Sequence, residues 1–138
     1  MNLANSLAGI NWLAVVAATV AAFAIGGFWY SNALFGSTWL QEVGLTEEAV
    51  NNTNMRRTFG GTFVLQFLAV TALAALIGAD SSWLGGLKTG LLISVFWVAT
   101  AYGITYLFEQ RSLRLFLINV GYNVVSFAIV GTIIGAWH

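Results

Sequence analysis

Among the neutral polar side chains inside the long apolar runs of this sequence, seven could form one path. They are Gln66, Ser94, Tyr102, Tyr106, Asn119, Tyr122 and Asn123. Amides and hydroxyls donate and accept hydrogen bonds without ionising, and in hydrocarbon each is costly unless it finds a partner. Asn119 and Asn123 are one helical turn apart, so they share a face. The set predicts a neutral polar path that could bind or pass a small polar or anionic solute.

Charged residues are few, and five of them cluster beside two of the apolar runs. Arg56, Arg57, Glu109, Arg111 and Arg114 predict a charged mouth at one end of the polar path. The alternative is structural. Glu109 would then pair with one of the first two arginines and tie two connections together.

The residues that most other chemistry needs are missing or badly placed. There is no cysteine, and the single histidine is the last residue, His138, so no metal or haem site is expected. All five acidic residues fall in turns or at membrane interfaces, which leaves no intramembrane carboxylate for proton coupling. We therefore expect no enzymatic activity and no cofactor. The five basic residues form no run that would favour nucleic acid.

Four membrane-spanning helices must position these side chains. Apolar residues make up 59% of the 138 residues and charged residues only 7%, which excludes a soluble fold. The apolar runs predict a single all-α transmembrane domain over residues 1–138, a four-helix bundle. Its spans are expected at about 9–30, 58–78, 83–108 and 113–137. The first run is too long for a signal-peptide core, so we expect it to be retained.

The connection between the first two spans is the longest and divides into two parts. Residues 32–43 carry aromatic side chains with few charges, which predicts a short interfacial helix or a re-entrant turn. Gly44 ends this segment. Thr46 then resembles an N-cap, with Glu47 and Glu48 in the first turn that follows. We expect the second helix to begin there and to enter the membrane after Arg57.

Small residues recur every few positions on three of the predicted helices. Such stripes let helices approach closely, because in lipid the attraction comes from packing. The stripe residues are Ala14, Ala18, Ala22 and Gly26 on the first helix, Gly86 and Gly90 on the third, and Gly131 and Gly135 on the fourth. They exceed what a four-helix monomer needs, which favours at least one contact between protein molecules.

The basic residues predict an orientation in the membrane. Four arginines lie in the 31–57 and 109–114 connections, whereas the opposite side holds only Lys88. The positive-inside rule therefore places these two connections in the cytoplasm and both termini outside it.

Several motifs together resemble a known family. They are Asn11-Trp12, the run from Gly27 to Ser31, Phe35-Gly36 with Trp39, the Gly44-Leu-Thr stretch before the two glutamates, and Phe116-Leu-Ile-Asn119 followed by Gly121-Tyr122. This combination resembles a family of short bacterial four-helix membrane proteins, classified only as a domain of unknown function. That family commonly has proline after the Trp-Tyr-Ser run, where this chain has Asn32. The resemblance implies a four-span fold in a bacterial inner membrane and no established activity.

Two hypotheses of function remain open. The first is a structural or accessory membrane subunit that forms a homo-oligomer or joins a larger membrane complex within the lipid bilayer. The alternative is a transporter or channel for a small polar or anionic solute that uses the neutral polar path. The direction in which the Asn119 and Asn123 face points, toward a wet cavity or a dry helix contact, discriminates between them.

Overall fold

The computed structural model of the chain is all-α, which confirms the prediction. It describes residues 2–137, apart from the side chain of residue 3, so His138 lies outside the described residues. The helices are α1 (Leu3–Ala8), α2 (Trp12–Trp29), α3 (Gly36–Val43), α4 (Glu47–Asn51), α5 (Met55–Ile77), α6 (Trp83–Ile93), α7 (Thr100–Glu109) and α8 (Leu113–Ala136). A π-helical stretch, Ser94–Ala99, joins α6 to α7.

Within residues 2–137, four helices are long and apolar enough to cross a membrane. They cover Trp12–Trp29, Met55–Ile77, Trp83–Glu109 and Leu113–Ala136. Their 18 to 27 residues, at about 1.5 Å per residue, give lengths of about 27 to 40 Å. These lengths match a hydrocarbon core of about 30 Å. The chain is therefore a multi-pass membrane protein in contact with lipid.

The first span begins three residues later than predicted because an asparagine caps it. The Asn11 side chain accepts hydrogen bonds from the backbone N–H groups of Leu13 and Ala14, at 3.1 and 3.2 Å. Asparagine at this position satisfies N–H groups that have no partner within the helix. Residues before it form the separate short helix α1.

The connection between the first two spans holds two short helices, and the expected long second helix is interrupted. Thr46 does cap a helix, since its hydroxyl accepts a hydrogen bond from the N–H of Ala49 at 3.1 Å. That helix, α4, ends at Asn51, and α5 starts anew after Asn54, whose side chain accepts from the N–H of Arg57 at 3.1 Å. Asparagine side chains compete with the helical backbone for hydrogen bonds, which explains the break.

Helix α8 is the centre of the bundle. It packs against α6, α2 and α5. In its apolar stretch of 18 residues, 39% is buried inside the molecule, whereas in the corresponding stretch of the third span this share is 6%. We call the end where α5 and α8 begin the arginine end, because it carries Arg56, Arg57, Arg111 and Arg114. The opposite end, with α1 and the end of α8, is the terminal end.

Glycines bring α6 and α8 into backbone contact. Side chains at Gly86 or Gly131 would overlap the carbonyl oxygen of the other residue, and one at Gly90 would overlap the carbonyl oxygen of Phe127. A side chain at Gly135 would overlap the carbonyl oxygen of Ser82. The predicted stripes on the third and fourth spans therefore face each other within one molecule.

The stripe on the first span is also used inside the molecule. Ala14, Ala18 and Ala22 are fully buried in the core, which α2 shares with α5 and α8. Gly26 lies against the ring of Tyr122, whose hydroxyl is 3.2 Å from where a Cβ atom would stand. These small residues thus leave room for neighbouring helices of the same chain.

Candidate functional site

Asn119 is the centre of a hydrogen-bond network that joins three spans. Its Oδ1 accepts a hydrogen bond from the Tyr30 hydroxyl at 2.7 Å, and its Nδ2 donates to the Tyr106 hydroxyl at 2.7 Å. Tyr30 follows directly after α2, whereas Tyr106 lies on α7. A phenol is protonated at neutral pH, so the Tyr30 hydroxyl is the donor and the amide oxygen of Asn119 is the acceptor.

All four tyrosines of the chain gather around this amide. The rings of Tyr30 and Tyr122 are 5.6 Å apart, and those of Tyr102 and Tyr106 are 5.5 Å apart, both edge to face. Such arrangements are favourable for aromatic pairs. We call these four residues the tyrosine cluster. It fills the bundle in the half nearer the arginine end and supplies hydroxyls without any ionised group.

Tyr122 extends the network toward α5. Its hydroxyl donates to the backbone carbonyl of Ala22 at 3.0 Å and lies 3.5 Å from Oε1 of Gln66. Gly26 permits this approach because it has no side chain. The bond to the Ala22 carbonyl fixes the ring, whereas the longer contact with Gln66 is at the limit for a hydrogen bond.

The end of α2 and the middle of α8 are fitted to each other by a second contact. The Trp29 indole N–H donates to the carbonyl oxygen of Ile118 at 2.9 Å. A Cβ atom at Gly121 would stand 3.0 Å from the same indole ring, so glycine leaves room for it. The motif from Gly27 to Ser31 therefore lies in contact with the motif from Phe116 to Tyr122.

Two residues of the predicted polar path bond within their own helices. The Ser94 hydroxyl is buried and donates to the carbonyl of Leu91 at 3.1 Å. The Asn123 amide donates to the carbonyl of Asn119 at 2.8 Å. The structure therefore brings Gln66, Tyr102, Tyr106, Asn119 and Tyr122 together and links the other two only to their own helices.

Tyr30 is the member of the site that sequence reasoning missed. The aromatic run that closes the first span has the pattern of an interfacial belt, and belts normally face lipid and headgroups. Its hydroxyl instead reaches Asn119, 89 residues away. The available signal was that two polar aromatic residues, Trp29 and Tyr30, closely follow Gly26, which lets Tyr122 of another helix come close.

The contact between α5 and α8 contains unfilled space on the terminal side of the tyrosine cluster. A narrow crevice with no room for a water molecule runs from Gln66 and Ser126 to Leu73 and Val130. Beyond it lies a cavity of about 400 Å³ at the terminal end. We call this line of network, crevice and cavity the α5–α8 seam.

The charged residues at the arginine end hold α3 against the start of α8. Oε2 of Glu42 accepts a hydrogen bond from the Ser112 hydroxyl at 2.6 Å, and Oε1 lies 3.8 Å from Arg114. On the same helix, the Trp39 ring packs edge to face on Tyr30, with centroids 5.9 Å apart. The interfacial segment predicted at 32–43 is therefore a helix attached to the tyrosine cluster.

Glu109 does not bridge the two connections. It pairs with Arg111, two residues away, at 3.3 Å. Within residues 2–137, Arg56 and Arg57 are exposed and form no ion pair. The pairing of Glu109 with either of them, one of two sequence-based interpretations, was therefore wrong because the tight turn at Gln110 favours the nearer partner.

Comparison with known proteins gives a family without an activity. No curated protein matches the chain, and no solved structure matches it. Among residues 2–137, no group of three or more histidine, cysteine, aspartate or glutamate side chains could hold a metal ion. A family model described as a protein of unknown function, DUF1761, matches residues 13–135, and the chain belongs to that family.

Proposed function

We propose that this protein passes a small uncharged polar solute along the α5–α8 seam. One observation carries the proposal: the polar network reaches α5 through Tyr122 and Gln66, Gln66 also lines the crevice between α5 and α8, and the cavity lies farther along the same two helices. The Asn119 amide already bonds Tyr30 and Tyr106, so that part of the predicted path is a contact between helices. A solute would instead meet the polar side chains of Gln66 and Ser126 in the crevice. The cavity at the other end is large enough to admit a small molecule.

The chemistry of the seam favours a neutral solute. Gln66 and Ser126 are the polar side chains of the crevice, and neither ionises. An ion would lose its hydration without gaining an opposite charge, at a cost of several kcal/mol or more. The anionic solutes considered from the sequence would meet arginines at one mouth but no charge farther along.

The crevice is closed, so passage requires α5 to move relative to α8. Of the two helices, α5 has room to move, because the crevice and the cavity lie beside it, whereas α8 is held against α6 by backbone contact. Val70, Leu73 and Val130 are almost fully buried where the crevice is narrow. They form the constriction that a displacement of α5 would widen. With the arginine end in the cytoplasm, as the positive-inside rule favours, the cavity would open outside it.

A flux assay tests the proposal. Reconstituted vesicles are challenged with gradients of glycerol or urea, and the change in volume is followed by stopped-flow light scattering. We expect Leu73→Ala to raise solute permeability severalfold because it widens the constriction. Ala69→Phe should lower it because it fills the crevice. Leu68→Ala and Ala72→Phe, at exposed positions on the same helix, are the matched controls. Permeability equal to that of protein-free vesicles in every variant would refute the proposal.

The accessory-subunit hypothesis keeps one supporting observation. The third span is barely buried, and Phe96, Trp97, Leu107 and Phe108 are between 63% and 86% exposed. Lipid or another membrane protein would cover this face equally well. The small-residue stripes no longer favour self-association, because they are occupied within the molecule. Native mass spectrometry of the same preparation distinguishes the two: co-purifying polypeptides together with absent flux would favour the accessory role.

A further inference from the structure

The cavity at the terminal end has walls from four helices. Helix α1 covers it on one side, and the start of α2 and the ends of α5 and α8 form the rest. Its volume of about 400 Å³ is within the range of about 300 to 1,000 Å³ that is typical of small-molecule sites. It lies outside the polar network and needs its own explanation.

The floor of the cavity is apolar and made of small residues. Ala14, Ala74 and Ile134 line it and are otherwise part of the buried core, with at most 8% of their surface exposed. Ala75 and Gly78 of α5 complete the floor. The space exists because alanine and glycine stand where larger side chains would fill it. Such a floor favours an apolar group over a small polar solute.

The rim of the cavity presents amide donors in fixed orientations. Oδ1 of Asn2 accepts from the N–H of Asn5 at 3.3 Å, and Oδ1 of Asn11 accepts from the N–H groups of Leu13 and Ala14. These caps turn both carbonyl oxygens toward the backbone. In the part of the chain that the structure describes, the two Nδ2 groups have no hydrogen-bond partner.

The surroundings indicate where a ligand would come from. Among residues 2–137, no residue that lines the cavity is ionisable, and Trp137 forms part of its wall. Trp12, Trp83 and Trp137 are 42% to 55% exposed at this end of the spans. Tryptophan prefers the boundary between lipid and water. The cavity therefore lies at the level of the membrane surface.

We infer that this cavity binds an uncharged single-chain amphiphile from the bilayer, such as a monoacylglycerol. The apolar part lies on the floor formed by Ala14, Ala74 and Ile134. A carbonyl or hydroxyl oxygen accepts hydrogen bonds from Nδ2 of Asn2 and Asn11. The cavity is also the outer end of the proposed solute path, but this inference goes beyond that function, because binding of the amphiphile needs no movement of α5.

Photolabelling tests the inference with protein in nanodiscs. The probe is a monoacylglycerol with a diazirine in its chain, and labelled peptides are mapped by mass spectrometry. We expect adducts in residues 72–79 and 130–137, reduced by excess unlabelled monoacylglycerol. Ala75→Phe should abolish these adducts because the ring fills the cavity. Ala72→Phe, an exposed position on the same helix, should leave them unchanged.

The rim is tested by a substitution that keeps the helix cap. Asn11→Asp retains an oxygen for the N–H groups of Leu13 and Ala14 but removes the Nδ2 donor. We expect competitor affinity to fall about fivefold, in line with the loss of one hydrogen bond. Asn32→Asp, an exposed residue at the arginine end, is the matched control.

The remaining outcomes separate this site from the proposed path. Ala69→Phe should lower solute flux and leave the labelling intact, so either idea can fail alone. Equal labelling of Ala75→Phe and Ala72→Phe would overturn the inference, as would adducts spread over the lipid-facing surface. Competition by a water-soluble ketone but not by monoacylglycerol would refute a bilayer source.

Discussion

Helix α8 makes two contacts of opposite character, one with α6 and one with α5. Against α6, glycines on both helices bring backbone next to backbone, and no side chain fits between. Against α5, side chains meet across a crevice and a cavity. Lipid surrounds both pairs of helices, so the hydrophobic effect does not explain why the two contacts differ. The difference is in packing, which is the main source of helix association in lipid.

This difference divides the molecule into a fixed part and a movable part. The hairpin of α6 and α8 has one close arrangement, because a small shift would bring the glycine contacts apart or into overlap. Helix α5 has space beside it and loses fewer contacts when it moves. A solute path would therefore open by displacement of α5, with α8 as the stationary wall.

The largest effect is expected from Gly131→Leu, which would break the close contact. The new side chain overlaps the backbone of α6 at Gly86, and flexible atoms cannot relieve this overlap. We expect a loss of about 3 kcal/mol or more in the free energy of unfolding, at the upper end of the cost of overpacking. Equilibrium unfolding in mixed detergent micelles measures it.

The matched control for this substitution is Gly60→Leu on α5. Nothing lies within 4 Å of a Cβ atom at Gly60, so the added side chain meets open space. We expect a change within about 0.5 kcal/mol, as for other exposed sites. Equal destabilisation by the two variants would show that the loss at Gly131 does not come from its close contact with Gly86.

A smaller effect is expected from Asn119→Leu, which removes the network that joins α8 to α2 and α7. Two hydrogen bonds are lost, each worth about 0.6 kcal/mol on average within membranes, and two tyrosine hydroxyls lose a partner. We expect a loss of about 1 to 2 kcal/mol. Asn123→Leu should cost less, because its amide bonds only within α8. A double-mutant cycle with Tyr30→Phe should show coupling at position 119 and none at position 123.

The sequence predicted four long apolar helices because the bilayer fixes the length of a spanning helix. A run of about 20 apolar residues has few alternatives to a spanning helix, since backbone groups in lipid must be satisfied internally. The break before Asn54 was harder to predict. The threonine, asparagine and glutamate residues of the stretch 46–54 are compatible both with one continuous helix and with two separately capped helices. Side-chain bonds, such as that of Asn54 to the N–H of Arg57, decide between them.

The sequence predicted which faces of the helices make close contacts, but it did not predict which helix lies against each face. The stripes of Gly86 and Gly131 mark faces where a helix approaches closely, but spacing alone does not say whether that helix belongs to the same chain. In the structure they face each other. The Asn119 face had the same ambiguity between a cavity and a helix contact. Tyr30 and Tyr106 occupy its amide, so this face is a contact between helices of one molecule.

The smallest effect is expected from Gln66→Leu, at the movable contact. Within residues 2–137 its one side-chain hydrogen bond, with Tyr122, is 3.5 Å long, and Tyr122 keeps its bond to Ala22 when Gln66 is removed. Leucine removes a half-buried amide from apolar surroundings, which offsets the lost hydrogen bond. We expect the free energy of unfolding to change by less than about 0.5 kcal/mol, while glycerol permeability in vesicles falls. A loss of stability as large as that of Asn119→Leu would mean that α5 is held as firmly as α7. The seam would then be a fixed contact and no route for a solute.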